Sequence, residues 1–254
     1  MFSYADYKEI LRIIKEIGTQ ATYKEALTRD KFIIMRHDVE YSVERAFELS
    51  RIEESMDFHS HYFFQWTNNS YNVLSRKNRD LITEMHERGQ HIGLHFALNG
   101  MTDVNLIRER ILKEAEMFSN MLGFEITNFS FHRPSPDVLA ANLKFSALLN
   151  AYQDDFFTFM PDASSVSEPH VKYLSDANHI WRYGYPDEET LWKYPRVQIL
   201  AHPFAWSQIG GDNLANYIGL VREKYVELLD SIDNECKDFG PLRDHFKNGP
   251  HTTT

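Results

Sequence analysis

Short apolar runs alternate with amphipathic segments along most of this chain. Apolar residues at steps of three and four predict helices over 4–17, 42–55, 70–88, 103–122, 137–149 and 212–239. Short apolar runs predict strands over 31–38, 58–65, 90–96, 128–132, 151–159, 171–175 and 197–201. This alternation is typical of an α/β protein with a parallel sheet, either a barrel or a wound sheet.

The pattern is weakest between residues 150 and 195, which we expect to be irregular between poorly marked strands. The last helix carries apolar residues at steps of four and three, which predicts a face that packs on a core. That stripe consists of Leu214, Ile218, Val221, Tyr225, Leu228 and Ile232. With no linker, repeat or low-complexity tract, we expect one domain over residues 1–254, with a C-terminal packing helix at 212–239.

Composition and charge narrow the class of protein. The chain has 254 residues, 43% of them hydrophobic, and a net charge of −10, which disfavours a broad nucleic-acid surface. The single cysteine, Cys236, excludes an internal disulfide and a cysteine-based zinc site. No apolar run reaches the length of a membrane span, and the N-terminus is charged where a signal peptide is apolar. We therefore expect a cytoplasmic protein without stable membrane insertion; the sequence leaves its oligomeric state open.

Ionisable residues lie on or directly after five of the predicted strands. In parallel α/β folds the carboxyl ends of the strands build the active site, so these side chains are expected to meet. The groups are His37-Asp38-Val39-Glu40, His91 with His95, His132-Arg133, Ser175-Asp176 and His202-Pro203.

His91 and His95 are four residues apart, so both point to one face of a strand or of a helix. Two neutral imidazoles and one carboxylate would hold a divalent metal and leave one position open. A second carboxylate would act as base, an arginine would keep it ionised, and a histidine would protonate the leaving group. Asp38 and Glu40 face the same way on an extended strand, and their spacing leaves open which is the ligand and which the base.

In this order, the motifs resemble those of the polysaccharide deacetylase superfamily, also called NodB homology or carbohydrate esterase family 4-like. Asp38-Val39-Glu40 resembles its first motif, His91 to His95 its second, and Arg133-Pro134-Ser135 its third. Ser175-Asp176 with Trp181 resembles the fourth motif, and Leu200-Ala201-His202-Pro203 the fifth. The five motifs span 31–206, so the resemblance implies that the single domain over 1–254 is a catalytic domain.

The resemblance implies a distorted seven-stranded (β/α) barrel and metal-dependent removal of an N-acetyl group from an amino sugar. It implies Asp38 as the base, His202 as the acid, Arg133 as the residue that orients the base, and Asp176 as the partner of His202. Glu40, His91 and His95 would hold the metal, which we expect to be Zn²⁺, with Ni²⁺, Co²⁺ or Fe²⁺ as alternatives. His37, His132, Trp181 and Trp206 are further candidates for contact with a carbohydrate or glycan substrate.

Two positions depart from the family pattern. Glu40 stands where the metal carboxylate is usually Asp, and Ser135 stands where the second proline of the third motif is expected. They leave room for a non-catalytic member that binds sugar or acts as a scaffold. A further alternative is a C–N hydrolase that acts on a small amide other than a sugar. For an active enzyme, we expect a role in intracellular glycan or surface-polysaccharide metabolism.

Overall fold

The computed structural model of this chain describes residues 1–160 and 168–246. Residues 161–167, part of the segment expected to be irregular, and the C-terminal residues 247–254 lie outside the described residues. Contacts divide the chain into two compact units, Met1–Gly210 and Gly211–Thr254. The single-domain extent over 1–254 stays a prediction.

The first unit alternates strands and helices, as the pattern predicts. Its strands are β1 (Phe32–Val39), β2 (His61–Phe64), β3 (His91–Ala97), β4 (Asn128–His132), β5 (Leu149–Asn150), β6 (Lys172–Ser175) and β7 (Arg196–Ala201). Its helices are α1 (Tyr4–Ile17), α2 (Tyr23–Ala26), α3 (Val43–Ser55), α4 (Arg76–Glu87), α5 (Val104–Leu122), α6 (Pro136–Ala140) and α7 (Glu188–Lys193).

All strand pairs in the seven-stranded sheet are parallel, in the order β5-β4-β3-β2-β1-β7-β6. The predicted seven-stranded α/β architecture is therefore confirmed. Strand β1 lies near the middle, between β2 and β7, and every one of its residues is buried. Helices cover one face of β1, and the concave interior of the sheet covers the other. This burial on both faces explains the apolar run at the start of the strand.

The helices begin and end at capping residues that can be recognised in the sequence. Ser3 and Asp6 form a capping box at the start of α1, and Gly18 ends that helix at a φ of 72°. Asp103 caps α5, whose end is set by Gly123 at a φ of 81°.

The region after β4 differs from the prediction. The helix expected over 137–149 is only the short α6, and the strand expected over 151–159 is replaced by β5 at Leu149–Asn150. Asn142 adopts a left-handed φ of 42° just after α6, which stops the helical run. The Asn150 side chain then donates to the Leu143 carbonyl at 2.9 Å, and a turn follows in place of a longer strand.

The concave face of the sheet is filled from several strands. The Gln198 amide on β7 donates to the carbonyls of Ala151 and Phe156, each at 3.1 Å, and so connects β7 with the segment that follows the far edge strand β5. On β3, a Cβ added to Gly93 would lie 2.5 Å from Phe63 Cδ1, so only glycine lets the Phe63 ring pack there.

The second unit consists of α8 (Asn213–Glu235) and a 3₁₀ helix at Gly240–Phe246. The stripe predicted to pack on a core does not do so, because four of its six residues are exposed: Leu214, Ile218, Val221 and Leu228. The Tyr225 hydroxyl donates to the Phe246 carbonyl at 3.0 Å, and Arg243 forms ion pairs with Asp230 and Asp233. Across the described part of the chain, we find no helix with the length and apolarity needed to cross a bilayer.

Candidate metal centre and active site

The carboxyl end of β1 brings a buried ion pair to the concave face. Arg36 and Asp38 are two residues apart and therefore lie on the same face of the strand. Arg36 donates to Asp38 through Nη2 at 2.7 Å and through Nε at 3.3 Å, and the two residues are 0% and 3% exposed. Burial alone would raise the pKa of the Asp38 carboxyl, but the charge and hydrogen bonds of Arg36, together with the nearby His95 and His202, outweigh it and hold that pKa well below its usual value. Asp38 is therefore ionised throughout the neutral range.

Arg36 is itself held by more than Asp38. It donates to the Tyr152 hydroxyl at 2.9 Å, and its guanidinium carbon lies 4.4 Å from the centroid of the Tyr152 ring. This second anchor fixes the planar group in one orientation, which lysine would not reproduce. Arg36 thus sets the position and charge of Asp38.

Three potential metal ligands converge next to this pair. One ligand atom each from Glu40, His95 and His132 lies within 4.8 Å of the others. His132 Nε2 is 3.6 Å from Glu40 Oε1, and the His95 and His132 rings meet edge to face at 5.2 Å. Two imidazoles and one carboxylate are a donor set suited to Zn²⁺ or a similar divalent ion.

The hydrogen bonds around His95 determine which of its ring nitrogens is available to bind a ligand. His95 Nδ1 is 2.7 Å from Ser130 Oγ, and that hydroxyl donates onward to Asp38 Oδ1 at 3.2 Å. Because the Ser130 proton goes to the carboxylate, Nδ1 of His95 must carry the proton and donate. The lone pair is then on Nε2, which is buried and has no hydrogen-bond partner among the described residues. An oriented, unpartnered imidazole nitrogen is what a metal centre requires, so the residues present fit the metal.

The charge states of His95 and His132 agree with a role as metal ligands. Burial lowers the pKa of His95 to about 3, against the opposing charge of Asp38. Burial also lowers the pKa of His132. Both imidazoles are therefore neutral near pH 7, which is the form that binds metal.

A histidine–aspartate pair lies at the carboxyl end of β7. His202 Nδ1 is 2.6 Å from Asp176 Oδ1, and the His202 backbone N–H donates to both oxygens of Asp176 at 3.0 Å. The Trp206 indole N–H donates to Asp176 Oδ2 at 2.9 Å and holds the carboxylate from the other side. Burial by itself would lower the pKa of His202, but Asp176 and the more distant Glu40 and Asp38 raise it to about 9. His202 is thus an imidazolium at neutral pH, and its Nε2 is the nitrogen that Asp176 leaves available.

The structure does not bring His91 to this site, which corrects the predicted ligand pair. His91 is the first residue of β3, and the four steps to His95 cover about 13 Å along a strand. The two rings share a face but lie too far apart to hold one ion. His91 instead stacks on His61, with ring centroids 4.8 Å apart. Its place beside Glu40 and His95 is taken by His132, which the sequence analysis assigned to substrate contact.

Three other candidates for substrate contact also lie elsewhere than expected. His37 is 0% exposed and points away from Asp38, where Nε2 lies 2.9 Å from Glu53 Oε1 and Nδ1 lies 2.9 Å from the Ala201 carbonyl oxygen. Trp206 is 1% exposed within the apolar cluster of the first unit. Trp181 is half-buried against that same cluster. His37 and Trp206 are buried, so they do not form an exposed platform for a sugar.

Arg133 is not the partner of Asp38 in the structure. Arg133 is exposed and has a left-handed φ of 51°, directly after His132. The guanidinium that contacts Asp38 belongs to Arg36. Asp38 is therefore oriented by a residue of β1 and not by the residue that follows β4. The sequence analysis did not identify Arg36 or Ser130 as site residues. Arg36 lies two residues before Asp38, and Ser130 lies two residues before His132. This spacing is the sequence signal that the two members of each pair share one face of a strand.

Comparisons with known proteins return structures of similar architecture. The chain is similar to a carbohydrate esterase family 4 (CE4) pseudoenzyme from Bacillus anthracis at 12% identity and a TM-score of 0.44, covering 78% of this chain and 61% of that one. It is similar to the chitin deacetylase of Colletotrichum lindemuthianum at 14% identity and a TM-score of 0.40, covering 76% and 81%. A family 4 acetyl xylan esterase from Clostridium thermocellum, in complex with cobalt, matches at 13% identity and a TM-score of 0.38, covering 67% and 73%.

The solved structures similar to this chain thus include members of the family that its motifs resemble. The chain spans about three fifths of the length of the Bacillus anthracis protein. No protein-family model and no curated protein matches the chain.

Proposed function

We propose that this chain is a metal-dependent hydrolase that removes the N-acetyl group from an amino sugar in a carbohydrate or glycan. The observation that carries the proposal is the cluster of Glu40, His95 and His132, in which one ligand atom of each lies within 4.8 Å of the others and the buried Nε2 of His95 has no partner among the described residues. An ionised carboxylate and a protonated imidazole flank this cluster, which is the pair that amide hydrolysis needs.

In this proposal, Glu40, His95 and His132 hold the metal. When bound, a divalent metal polarises the substrate carbonyl and lowers the pKa of the attacking water. Asp38 takes the proton of that water, with Arg36 and Ser130 fixing the direction of its oxygens. His202 donates a proton from Nε2 to the leaving amine nitrogen, and Asp176 stabilises the charged imidazole before that step.

The contacts of the two carboxylates also support different roles for Asp38 and Glu40. Both oxygens of Asp38 contact Arg36, and Oδ1 also accepts from Ser130, whereas Glu40 lies beside His132. Glu40 is thus the better candidate for the metal carboxylate and Asp38 for the base.

Two variants test this assignment of Glu40 as the metal ligand and Asp38 as the base. Glu40→Gln is expected to lower metal content sharply because it removes a charged ligand. Asp38→Asn is expected to keep metal bound and to stop turnover. Metal content after zinc, nickel, cobalt or iron supplementation would be measured beside acetate release from an N-acetylated amino-sugar oligomer. A folded wild-type protein that takes up no metal contradicts the enzyme proposal and favours a non-catalytic sugar-binding or scaffold role.

The pH dependence of turnover tests the role of His202. With a pKa of about 9, His202 is protonated at neutral pH, so activity is expected to fall as pH rises through about 9. In Asp176→Asn the partner charge is lost and burial dominates, so the pKa of His202 falls and the alkaline limb moves below neutrality. At pH 7 we expect a loss of about 10²- to 10⁴-fold, the usual contribution of a general acid.

Trp206→Phe is the matched control for this profile. It removes one hydrogen bond to Asp176 but keeps the Asp176–His202 pair, so the alkaline limb should stay near its wild-type position. An unchanged limb in Asp176→Asn would rule out His202 as the group that titrates.

A further inference from the structure

His37 on β1 is buried beside the strand that ends at His202. It is 0% exposed, it contacts α1 and α3 through its Nε2, and the sheet register pairs it with Ala201 on β7. Its Nδ1 lies 2.9 Å from the Ala201 carbonyl oxygen. Because a carbonyl oxygen only accepts, Nδ1 carries a proton and donates. His37 therefore holds the residue that directly precedes the proposed acid.

The peptide group between Ala201 and His202 is held from both sides. Its carbonyl accepts from His37, and its N–H donates to both oxygens of Asp176 at 3.0 Å. One of these Asp176 oxygens also lies 2.6 Å from His202 Nδ1. A donor on the carbonyl polarises the peptide group and strengthens its N–H as a donor. A single peptide group thus connects His37 with the carboxylate that orients His202.

Glu53 fixes the orientation of the His37 ring from its other nitrogen. Nε2 of His37 lies 2.9 Å from Glu53 Oε1, and Glu53 is 0% exposed on α3. Three hydroxyl groups also donate to the Glu53 carboxylate, those of Tyr7, Ser60 and Tyr62. The Tyr62 ring stacks on His37 with centroids 4.4 Å apart. These contacts come from α1, α3 and β2 and leave the imidazole one orientation.

Packing alone does not account for a histidine at this position. A buried polar group adds little to stability compared with an apolar side chain of similar volume, because it loses its contacts with water on folding. Histidine adds a donor with a fixed direction, and here that direction is towards the Ala201 carbonyl. The arrangement repeats the one at His202, where a carboxylate holds one ring nitrogen and the other nitrogen is left to act.

We propose that His37 is a positioning residue for the acid His202. Through the peptide group between Ala201 and His202, it keeps Asp176 and His202 in contact when His202 gives up its proton. The inference rests on the proposed hydrolase function for the role of His202. The contact between His202 and Asp176 needs neither metal nor substrate, so it can be observed without turnover.

Two substitutions separate the two nitrogens of His37. Asparagine places an NH₂ group near the position of Nδ1 and can still donate to the Ala201 carbonyl, whereas glutamine places it near Nε2 and can still donate to Glu53. His37→Gln is expected to lower kcat about tenfold with KM unchanged, the lower end of the effect of residues that support an active-site group. His37→Asn is expected to keep kcat near the wild-type value.

The NMR resonance of the proton between His202 Nδ1 and Asp176 reports on the same contact in the metal-free, full-length protein. A short hydrogen bond places this resonance far downfield. His37→Gln is expected to move it upfield, because the contact lengthens, and His37→Asn to leave it in place. Ser60→Ala is the matched control, since it removes one donor to Glu53 and keeps the contact between His37 and Ala201. Its resonance and its kcat should stay near wild type.

Equal resonance positions in His37→Gln and His37→Asn would overturn the proposal, and so would a shift in Ser60→Ala as large as that in His37→Gln. The wild-type protein gives a measurement that needs no variant to fold: the NMR shifts of the His37 ring nitrogens must show a proton on Nδ1. A ring protonated only on Nε2 would overturn the proposal. If the wild type released no acetate, the hydrolase proposal would fail by itself, and the resonances would still decide whether His37 sets the contact between His202 and Asp176.

Discussion

His132→Ala is expected to abolish stable metal binding, whereas His91→Ala is expected to leave metal binding unchanged. His132 Nε2 lies beside Glu40 and belongs to the three-residue cluster, while His91 stacks on His61 at the other end of β3. Loss of a direct ligand should reduce metal affinity by more than the about 10- to 100-fold typical of residues that only support a ligand. Calorimetric zinc titration of both variants gives the comparison.

The pair of variants separates two interpretations of the histidine motif. If His91→Ala lost metal and His132→Ala kept it, the His-x-x-x-His pair would be the ligand set and the cluster in the structure would be wrong. Acetate release should follow the same order, with His91→Ala near wild type. His95→Ala should resemble His132→Ala, because both remove an imidazole from the same cluster.

Arg36→Met is expected to destabilise the fold by about 3–5 kcal/mol, the cost of leaving one member of a buried ion pair uncompensated. The Arg36 side chain is 0% exposed and that of Asp38 is 4% exposed, so solvent cannot replace the lost partner. The free energy of unfolding, from urea denaturation at pH 7, measures the effect. Turnover should also be lost, because Asp38 is no longer held ionised in its present position.

The double variant Arg36→Met/Asp38→Asn provides the control for charge. Removing both ions avoids a lone buried carboxylate, so the double variant should be more stable than Arg36→Met alone. If it were less stable, packing around Tyr152 would account for the effect of Arg36 and the ion-pair explanation would fail.

The direction of the pH effect follows from Asp38. In the wild type its pKa is lowered, so its contribution to stability is present above the usual pKa of an aspartate, about 3.9, and is lost as pH falls below that value. In Arg36→Met burial is no longer opposed by that charge, the pKa rises, and the variant should gain stability as pH falls through the raised pKa. Above about pH 4 the contribution of Asp38 should therefore be level in the wild type, whereas in Arg36→Met the free energy of unfolding should rise as pH falls from the raised pKa towards about 4.

Most of the elements can be predicted from the sequence because their causes are local. The apolar run of β1 and the capping residues Ser3, Gly18, Asp103 and Gly123 determine where regular structure begins and ends. The polar residues after β1, β4, β6 and β7 were predicted to meet because parallel strands place their carboxyl ends at one edge. The pairing of Asp176 with His202 has the geometry that the family resemblance implied, although their catalytic roles stay predictions.

The errors in the candidate site arise where distance along a strand matters as well as direction. Periodicity gives the face on which a side chain lies, and it placed His91 and His95 correctly on one face, but it does not show that their rings are too far apart to share an ion. It also does not show which arginine reaches Asp38. Arg36 does so from its own strand, while Arg133 is turned outward by a left-handed backbone.

Local patterns in the sequence are enough to predict the α/β class, most element positions and the chemical types present at one edge of the sheet. Those properties depend on short-range propensity and on the two-residue period of a strand. The position of His132 in place of His91, beside Glu40 and His95, depends on tertiary contacts. Hydrogen bonds between β3 and β4, whose paired residues are 35 apart in the chain, set the register of the two strands. Register aligns His95 with Ser130 and Ala97 with His132, and it thereby selects which histidines meet.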